Sequence, residues 1–342
     1  MIFWKPTEKA CLSMIQPPDR WCKHMDNHNY IPGVVQISIT ARCQCNCRHC
    51  GVAHIKRHVR GEPTLAELDT LFADLQRSGT RVIDLFGGEP TLRADLFDIL
   101  SLAKSYGFFT LVETNGWRLD ERYICDIKAA NLDQVYLSLD DYREEVHDTN
   151  RNLPGLFVKA THALALCRKH DLPVDVSFVP KDRDYFLNHL NTFLDFVFTK
   201  GADHVRILLP RFIGNMNLTD TSPFSDGKEQ ELVDLISPKH LPRIYFHSND
   251  TPIDDISVCS AKQYFCHIMT NGDVLPCPYL PLVFGNIKEE SIAAIFRRIQ
   301  ESDIMRRGGT HCLARDISFI KEVLSAITPD KPFIRMDAAA RA

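Results

Sequence analysis

The sequence predicts an α/β protein built around a parallel sheet, with a small α+β module at its C-terminal side. Two observations carry this. Between residues 34 and 210, six short β-branched or apolar runs alternate with helical patterns, and such alternation argues for parallel strands joined by crossovers. Further on, a hairpin and two helices follow a stretch of irregular composition, without that rhythm.

Residues 1–33, broken by Pro6, Pro17, Pro18 and Pro32, read as an N-terminal wrap. Val34 to Ile39 is the first strand run. Thr64-Leu65-Ala66-Glu67 matches a capping box, Leu65, Leu68, Phe72 and Leu75 mark one helical face, and Gly79 suits the C-terminal cap. Strands are expected at 82–86, 109–113, 134–139, 173–179 and 204–209, with helices at 93–106, 120–130, 154–170 and 185–200. Pattern alone leaves open whether the sheet closes. Residues 211–255, rich in Asn, Asp, Pro and Ser, read as a linker with one helix near 227–236. In the module at 256–328, His267 to Leu275 flank Asn271-Gly272-Asp273 as a hairpin, with helices at 290–301 and 315–327 and a flexible tail at 329–342.

Composition narrows the class. The chain has 342 residues, 44% hydrophobic and 25% charged, with a net charge of −4. No global basic field exists to concentrate nucleic acid, and no apolar run approaches the roughly 20 residues that cross a bilayer. The N-terminus lacks an apolar stretch of signal-peptide length, so the expected compartment is the cytoplasm, where thiols stay reduced. Twelve cysteines then need a reason. Clustered cysteines in such a chain point to metal binding or catalysis rather than disulfides.

Four of them fall in Cys43-Gln-Cys45-Asn-Cys47-Arg-His49-Cys50. Cys43, Cys47 and Cys50 form a Cys-x3-Cys-x2-Cys spacing. Three soft, anionic thiolates on one short loop can hold three irons of a cubane and leave the fourth open. Structural zinc is the alternative, with Cys45 or His49 as a fourth ligand.

Thr40-x-Arg42-Cys43-x3-Cys47-x-His49-Cys50, placed after the first strand, resembles the signature of the radical S-adenosylmethionine (SAM) superfamily. The resemblance covers about residues 34–210. It implies a partial (β/α)6 barrel whose [4Fe–4S] cluster binds SAM and reductively cleaves it to a 5′-deoxyadenosyl radical. It places His49 near the adenine. Gly87-Gly88-Glu89-Pro90 resembles the family's GGEP motif, with Glu89 accepting from the methionine ammonium. Glu113-Thr114-Asn115-Gly116 resembles its TNG segment, and Ser138-Leu139-Asp140 its S-x-D pattern. Ser177 and Arg206, on the fifth and sixth strands, are further candidates for the cofactor. Each of these polar residues also has an ordinary structural reading as a turn, helix cap or salt bridge.

Cys259-x12-Gly272-x4-Cys277, followed by Gly285-Asn286-Ile287, resembles the start of a SPASM extension, which carries auxiliary clusters. The middle Cys-x2-Cys-x5-Cys-x3-Cys run of that family is missing before Cys312. The resemblance therefore implies a shortened, twitch-like module with one auxiliary [4Fe–4S] cluster. Its ligands would be Cys259, Cys277 and Cys312, with Cys266 as a fourth. The implied function is hydrogen abstraction from a small-molecule biosynthetic intermediate of natural-product, sugar, nucleoside or tetrapyrrole type. Only some thirty-three residues precede the first strand, too few for a peptide-recognition domain, so modification of a ribosomal precursor peptide is the second reading. An electron donor such as flavodoxin or ferredoxin is the implied protein partner. A non-enzymatic zinc protein is the alternative of another class; it explains the cysteines but not the strand-end motifs.

Overall fold

The computed structural model describes residues 32–180, 183–216, 233–247, 260–307, 312–328 and 330–336. Seven strands run parallel and neighbour one another in chain order: β1 (Val34–Thr40), β2 (Val82–Gly87), β3 (Phe109–Thr114), β4 (Gln134–Ser138), β5 (Val174–Phe178), β6 (His204–Ile207) and β7 (Ile244–Phe246). The first six lie where the apolar runs predict them. The seventh falls inside 211–255, expected as linker, and pairs with β6 through Arg206↔Tyr245. Three residues are too few for the alternation that reveals a strand in sequence. Most of the wrap, and the greater part of the helix expected near 227–236, lie outside the described residues.

The crossovers carry α1 (Ala53–His58), α2 (Leu65–Ser78), α3 (Leu96–Ser105), α4 (Glu121–Ala129), α5 (Glu144–Arg151), α6 (Leu156–Lys169) and α7 (Arg183–Lys200). The capping box of α2 is formed, with Glu67 N donating to Thr64 Oγ1 and Thr64 N to Glu67 Oε2, and Gly79 ends the helix at φ 91°. Among the described residues no helix is long and apolar enough to cross a membrane.

The C-terminal module continues the same sheet. β8 (Phe265–Ile268) pairs in parallel with the free edge of β1, in the register Val35↔Cys266 and Gln36↔His267. β9 (Asp273–Leu275) returns antiparallel to β8 around Gly272, and β11 (Gly285–Asn286) adds to β9. The sheet therefore runs β11-β9-β8-β1-β2-β3-β4-β5-β6-β7, and among the described residues no pairing closes it. β10 (Leu282–Val283) pairs with β12 (Ile334–Arg335). That pairing corrects the flexible tail expected from 329: Ile334 N donates to Pro281 O and Met336 N to Val283 O, and Arg335 reaches Asp273. Two further helices, α8 (Ile292–Glu301) and α9 (Ile317–Ala326), complete the module.

Side chains alternate across each strand. One face is aliphatic: Val35, Ile37, Ile39, Leu85, Val112, Leu137 and Val176 are buried in one core with Phe72 and Leu75 of α2, Leu100 of α3 and Leu164 of α6. The other face is polar, although equally buried. There Gln36 Nε2 donates to Asp84 Oδ2 at 2.8 Å, and Arg206 pairs with Glu113 at 2.9 Å while lying 4.0 Å over the Tyr136 ring. His267 of β8 joins this network through Gln36 Oε1 (3.0 Å) and Ser38 Oγ (3.1 Å). Because the Gln36 amide nitrogen donates to Asp84, its oxygen is the acceptor, and His267 carries its proton on Nδ1.

Candidate active site

The cysteine loop leaves the end of β1 and is pinned at two places. On one side, Gly88 N donates to Thr40 O (2.8 Å) and Glu89 N to Arg42 O (2.7 Å), which ties the Gly-Gly-Glu-Pro turn to the chain entering Cys43. A Cβ on Gly88 would lie 2.0 Å from Arg42 O, and one on Gly87 2.1 Å from Thr40 O, so the two glycines are what permits this approach. On the other side, Asn46 N donates to Arg151 O (3.2 Å) and Arg48 N to Asn150 O (2.9 Å), at the end of α5.

The loop places Cys43, Cys45, Cys47 and Cys50 along one wall of a cleft, about 940 Å3 including its open mouth. Cys45 is buried. The neighbouring thiols of Cys43 and Cys47 raise its pKa, and it lowers theirs. Asn115 Nδ2 also donates to Cys45 Sγ at 3.4 Å. Cys47 is held furthest below the usual thiol range, first by Cys45 and then by Arg151, whose Nη1 lies 4.0 Å from its sulfur, and His49. Burial pushes Cys50 up to about 11. Lys56, on α1, also lines the cleft. Burial opposes its charge, but the facing thiols of Cys50, Cys43 and Cys47 more than offset that, and its pKa is raised.

Glu89 is buried beside the thiols and joins two of the strand-end motifs. Its Oε1 accepts from Thr91 N (3.1 Å), Thr91 Oγ1 (2.6 Å) and Thr114 Oγ1 (2.7 Å), and its Oε2 from Asn115 N (2.8 Å). Oε2 thus keeps acceptor capacity for one more donor. Burial raises the Glu89 pKa, and the four donors act against that shift. Asn115 Oδ1 caps the following turn through Trp117 N (2.9 Å).

Gly87, Gly88, Glu89, Thr114, Asn115, Ser138, Ser177 and His49 all line the cleft. Pro90, Asp140 and Arg206 are placed differently. Pro90 starts a buried 3-10 turn. Asp140 is turned into a two-point ion pair with Arg151 (2.6 and 2.9 Å) and stands 3.8 Å from His49 Nε2. Arg206 lies beneath the cleft, held by Glu113 and by Ser177 Oγ at 2.8 Å. Lys56, Arg151, Arg211 and Tyr279 also line the cleft, and pattern reading does not find them. Arg211 lies over the Tyr279 ring at 5.3 Å, which brings a residue of the C-terminal module to the mouth.

Of the second cysteine group, Cys259 lies outside the described residues. Cys277 is half-buried and Cys312 buried, both against the main core. Cys266 faces away from its neighbour His267, into the aliphatic core, fully buried. Burial alone raises its pKa above the usual thiol range.

Known proteins share these features. The family model of the radical SAM superfamily matches residues 37–191, and that of the SPASM iron-sulfur cluster-binding domain matches 259–313. The AdoMet-dependent heme synthase of Methanosarcina barkeri (strain Fusaro / DSM 804) is 26% identical over 305 residues, 80% of this chain and 86% of that protein. Among solved structures, Streptococcus suis SuiB bound to precursor peptide SuiA superposes with a TM-score of 0.69 at 14% identity, over 92% of this chain and 76% of that one. Native anSMEcpe with bound AdoMet and Cp18Cys peptide superposes with a TM-score of 0.61 at 17% identity, over 83% of each chain. At such identities the structural likeness establishes the shared fold.

Proposed function

We propose, from the premise that this chain belongs to the radical SAM superfamily and carries a SPASM domain, that Cys43, Cys47 and Cys50 hold its SAM-binding cluster. The same premise makes it an enzyme that needs a [4Fe–4S] cluster, SAM, a reductant and a substrate, and sets aside the structural zinc protein. The donor set fits: three soft sulfur donors line one wall of the cleft, with Glu89 beside them. Bound there, cluster and SAM supply reductive cleavage to a 5′-deoxyadenosyl radical that abstracts a hydrogen atom from the substrate.

The chain's own residues bind, orient and exclude water. Glu89 Oε2 accepts from the SAM ammonium, and the backbone of Gly87 and Gly88 keeps the turn against the cluster loop. Asn115, Ser138 and Ser177 present hydrogen-bonding groups at the ends of parallel strands, where α/β folds place ligands. Arg151 stabilises Cys47 as a thiolate, and Asp140 fixes Arg151. His49 stands at the cofactor wall. Leu208, Leu209 and Tyr279 line the cleft and shield it from bulk water. Cys277 and Cys312, with Cys259, remain the proposed auxiliary ligands. Flavodoxin or ferredoxin is the proposed electron donor, in the reducing cytoplasm.

The substrate we infer is a small-molecule biosynthetic intermediate, of which a tetrapyrrole is the leading type. The single observation behind it is the heme synthase relative, matched over most of both chains. Peptide modification is the second reading, favoured by the likeness to SuiB bound to its precursor peptide. Anaerobic reconstitution with iron and sulfide, then reduction in the presence of SAM, tests the class. The expected result is 5′-deoxyadenosine that Cys50→Ala abolishes; its absence from the wild type would sink the assignment. Substrate-dependent stimulation by tetrapyrrole precursors, and not by short peptides, is expected; the reverse result would replace the first substrate with the second.

A further inference from the structure

The cluster loop is faced by two cations that differ in how their charge is balanced. Arg151 reaches Cys47, but Asp140 holds its guanidinium at two points, with Nε 2.6 Å and Nη2 2.9 Å from the carboxylate. The pair is nearly neutral as seen from the cleft. Lys56 stands at the other end of the loop. Its Nζ donates to Cys45 O at 3.1 Å, and the side chain lines the cleft together with Cys43, Cys47 and Cys50. Among the described residues no carboxylate forms an ion pair with it, and the groups it faces are the thiols of Cys50, Cys43 and Cys47. α1, which carries Lys56, begins three residues after Cys50, so the short helix brings this ammonium back over its own loop.

We propose that Lys56 is a positioning residue for the SAM-binding cluster, its ammonium held over the loop by Cys45 O and raising the reduction potential of the cluster. The inference rests on the assignment of Cys43, Cys47 and Cys50 as ligands. Adding an electron makes the cluster more negative, and a nearby cation stabilises the reduced state more than the oxidised one. The Arg151–Asp140 pair acts less strongly, because the carboxylate offsets part of the guanidinium charge felt at Cys47. Lys56 is therefore the group that eases the one-electron reduction preceding SAM cleavage, at a site where an external donor must drive an unfavourable transfer.

The test is an anaerobic redox titration followed by electron paramagnetic resonance on reconstituted wild type, Lys56→Gln, Lys56→Met and Lys56→Arg. The signal that changes on adding SAM reports this cluster separately from an auxiliary one. Both neutral variants should keep the cluster and shift its midpoint to more negative potential, and Lys56→Arg should return it toward wild type. An unshifted midpoint in Lys56→Gln and Lys56→Met overturns the proposal, as does an arginine variant shifted as far as they are. Loss of the cluster from both neutral variants also overturns it, since a tuning charge is not needed for assembly. A wild type without a SAM-responsive signal refutes the ligand assignment itself, a separate failure.

Discussion

Gly88 has no room for a side chain, because a Cβ there would stand 2.0 Å from the carbonyl oxygen of Arg42, one residue before the first cluster cysteine. The obstacle is backbone, so the loop itself must move. Gly88→Ala is therefore expected to lower iron loading at Cys43, Cys47 and Cys50 while leaving the auxiliary iron, as measured by iron per chain after reconstitution. Arg151 gives a second expectation. Asp140 is fully buried, and the guanidinium facing it pulls its pKa down against burial. Arg151→Met strands that carboxylate, and breaking a buried pair by removing one partner typically costs about 3–5 kcal/mol. Urea unfolding at neutral pH should show a loss of that size. Asp140→Asn combined with Arg151→Met should recover part of it.

The elements that pattern reading finds are those with an apolar stripe. α2 shows Leu68, Leu71, Phe72 and Leu75 buried on one side, and its caps are legible as Thr64 and Gly79. α5 has no such stripe: its sequence is Glu-Glu-Val-His-Asp-Thr-Asn-Arg, and its buried side chains are His147 and Arg151. It is held by polar burial, His147 Nδ1 accepting from Asp140 N and Arg151 pairing with Asp140, and no hydropathy period announces that. The cation at Cys47 was invisible for this reason. β8 teaches the complement. Cysteine spacing made Cys266 a fourth auxiliary ligand, but strand alternation points it into the core opposite His267. Cys266→Ala is expected to keep the auxiliary iron, at a packing cost of about 1 kcal/mol, whereas Cys277→Ala should lose it. Iron and sulfide content of the two variants decides between ligand and packing.

Among the described residues, His54, His147 and His267 are buried in the neutral form, and burial also lowers His240 and His247. Burial lowers His54 and His147 to about 4 and His267 to about 3. In the unfolded chain each would titrate near about 6.5. The unfolded state thus binds more protons between those values, so stability is full above pH 6.5 and falls as pH drops toward 4. Chemical unfolding of the apo-protein as a function of pH should show this loss, and His267→Gln should flatten it. A slope unchanged by that variant would mean that His267 does not titrate as its burial implies. The same residue joins the two parts of the chain, because His267 of the C-terminal module bonds Gln36 and Ser38 of β1. The module is thereby built into the edge of the core sheet, and its Tyr279 reaches the cleft.

Local chemistry determined much of this protein. The period of apolar residues specified six strands and five of the crossover helices, and the spacing of Cys43, Cys47 and Cys50, with the strand-end glycines and polar residues, marked the candidate site. Those signals lie within a few residues of one another, where periodicity and turn chemistry act. Tertiary structure alone decided what long-range pairing controls: the docking of β8 on β1, the burial of Cys45 beside the thiols of Cys43 and Cys47, the diversion of Asp140 and Arg206 into ion pairs, and the placement of Lys56 and Arg151 at the two ends of the cysteine loop. Which polar groups meet inside a sheet depends on register and crossover, and no local period encodes that.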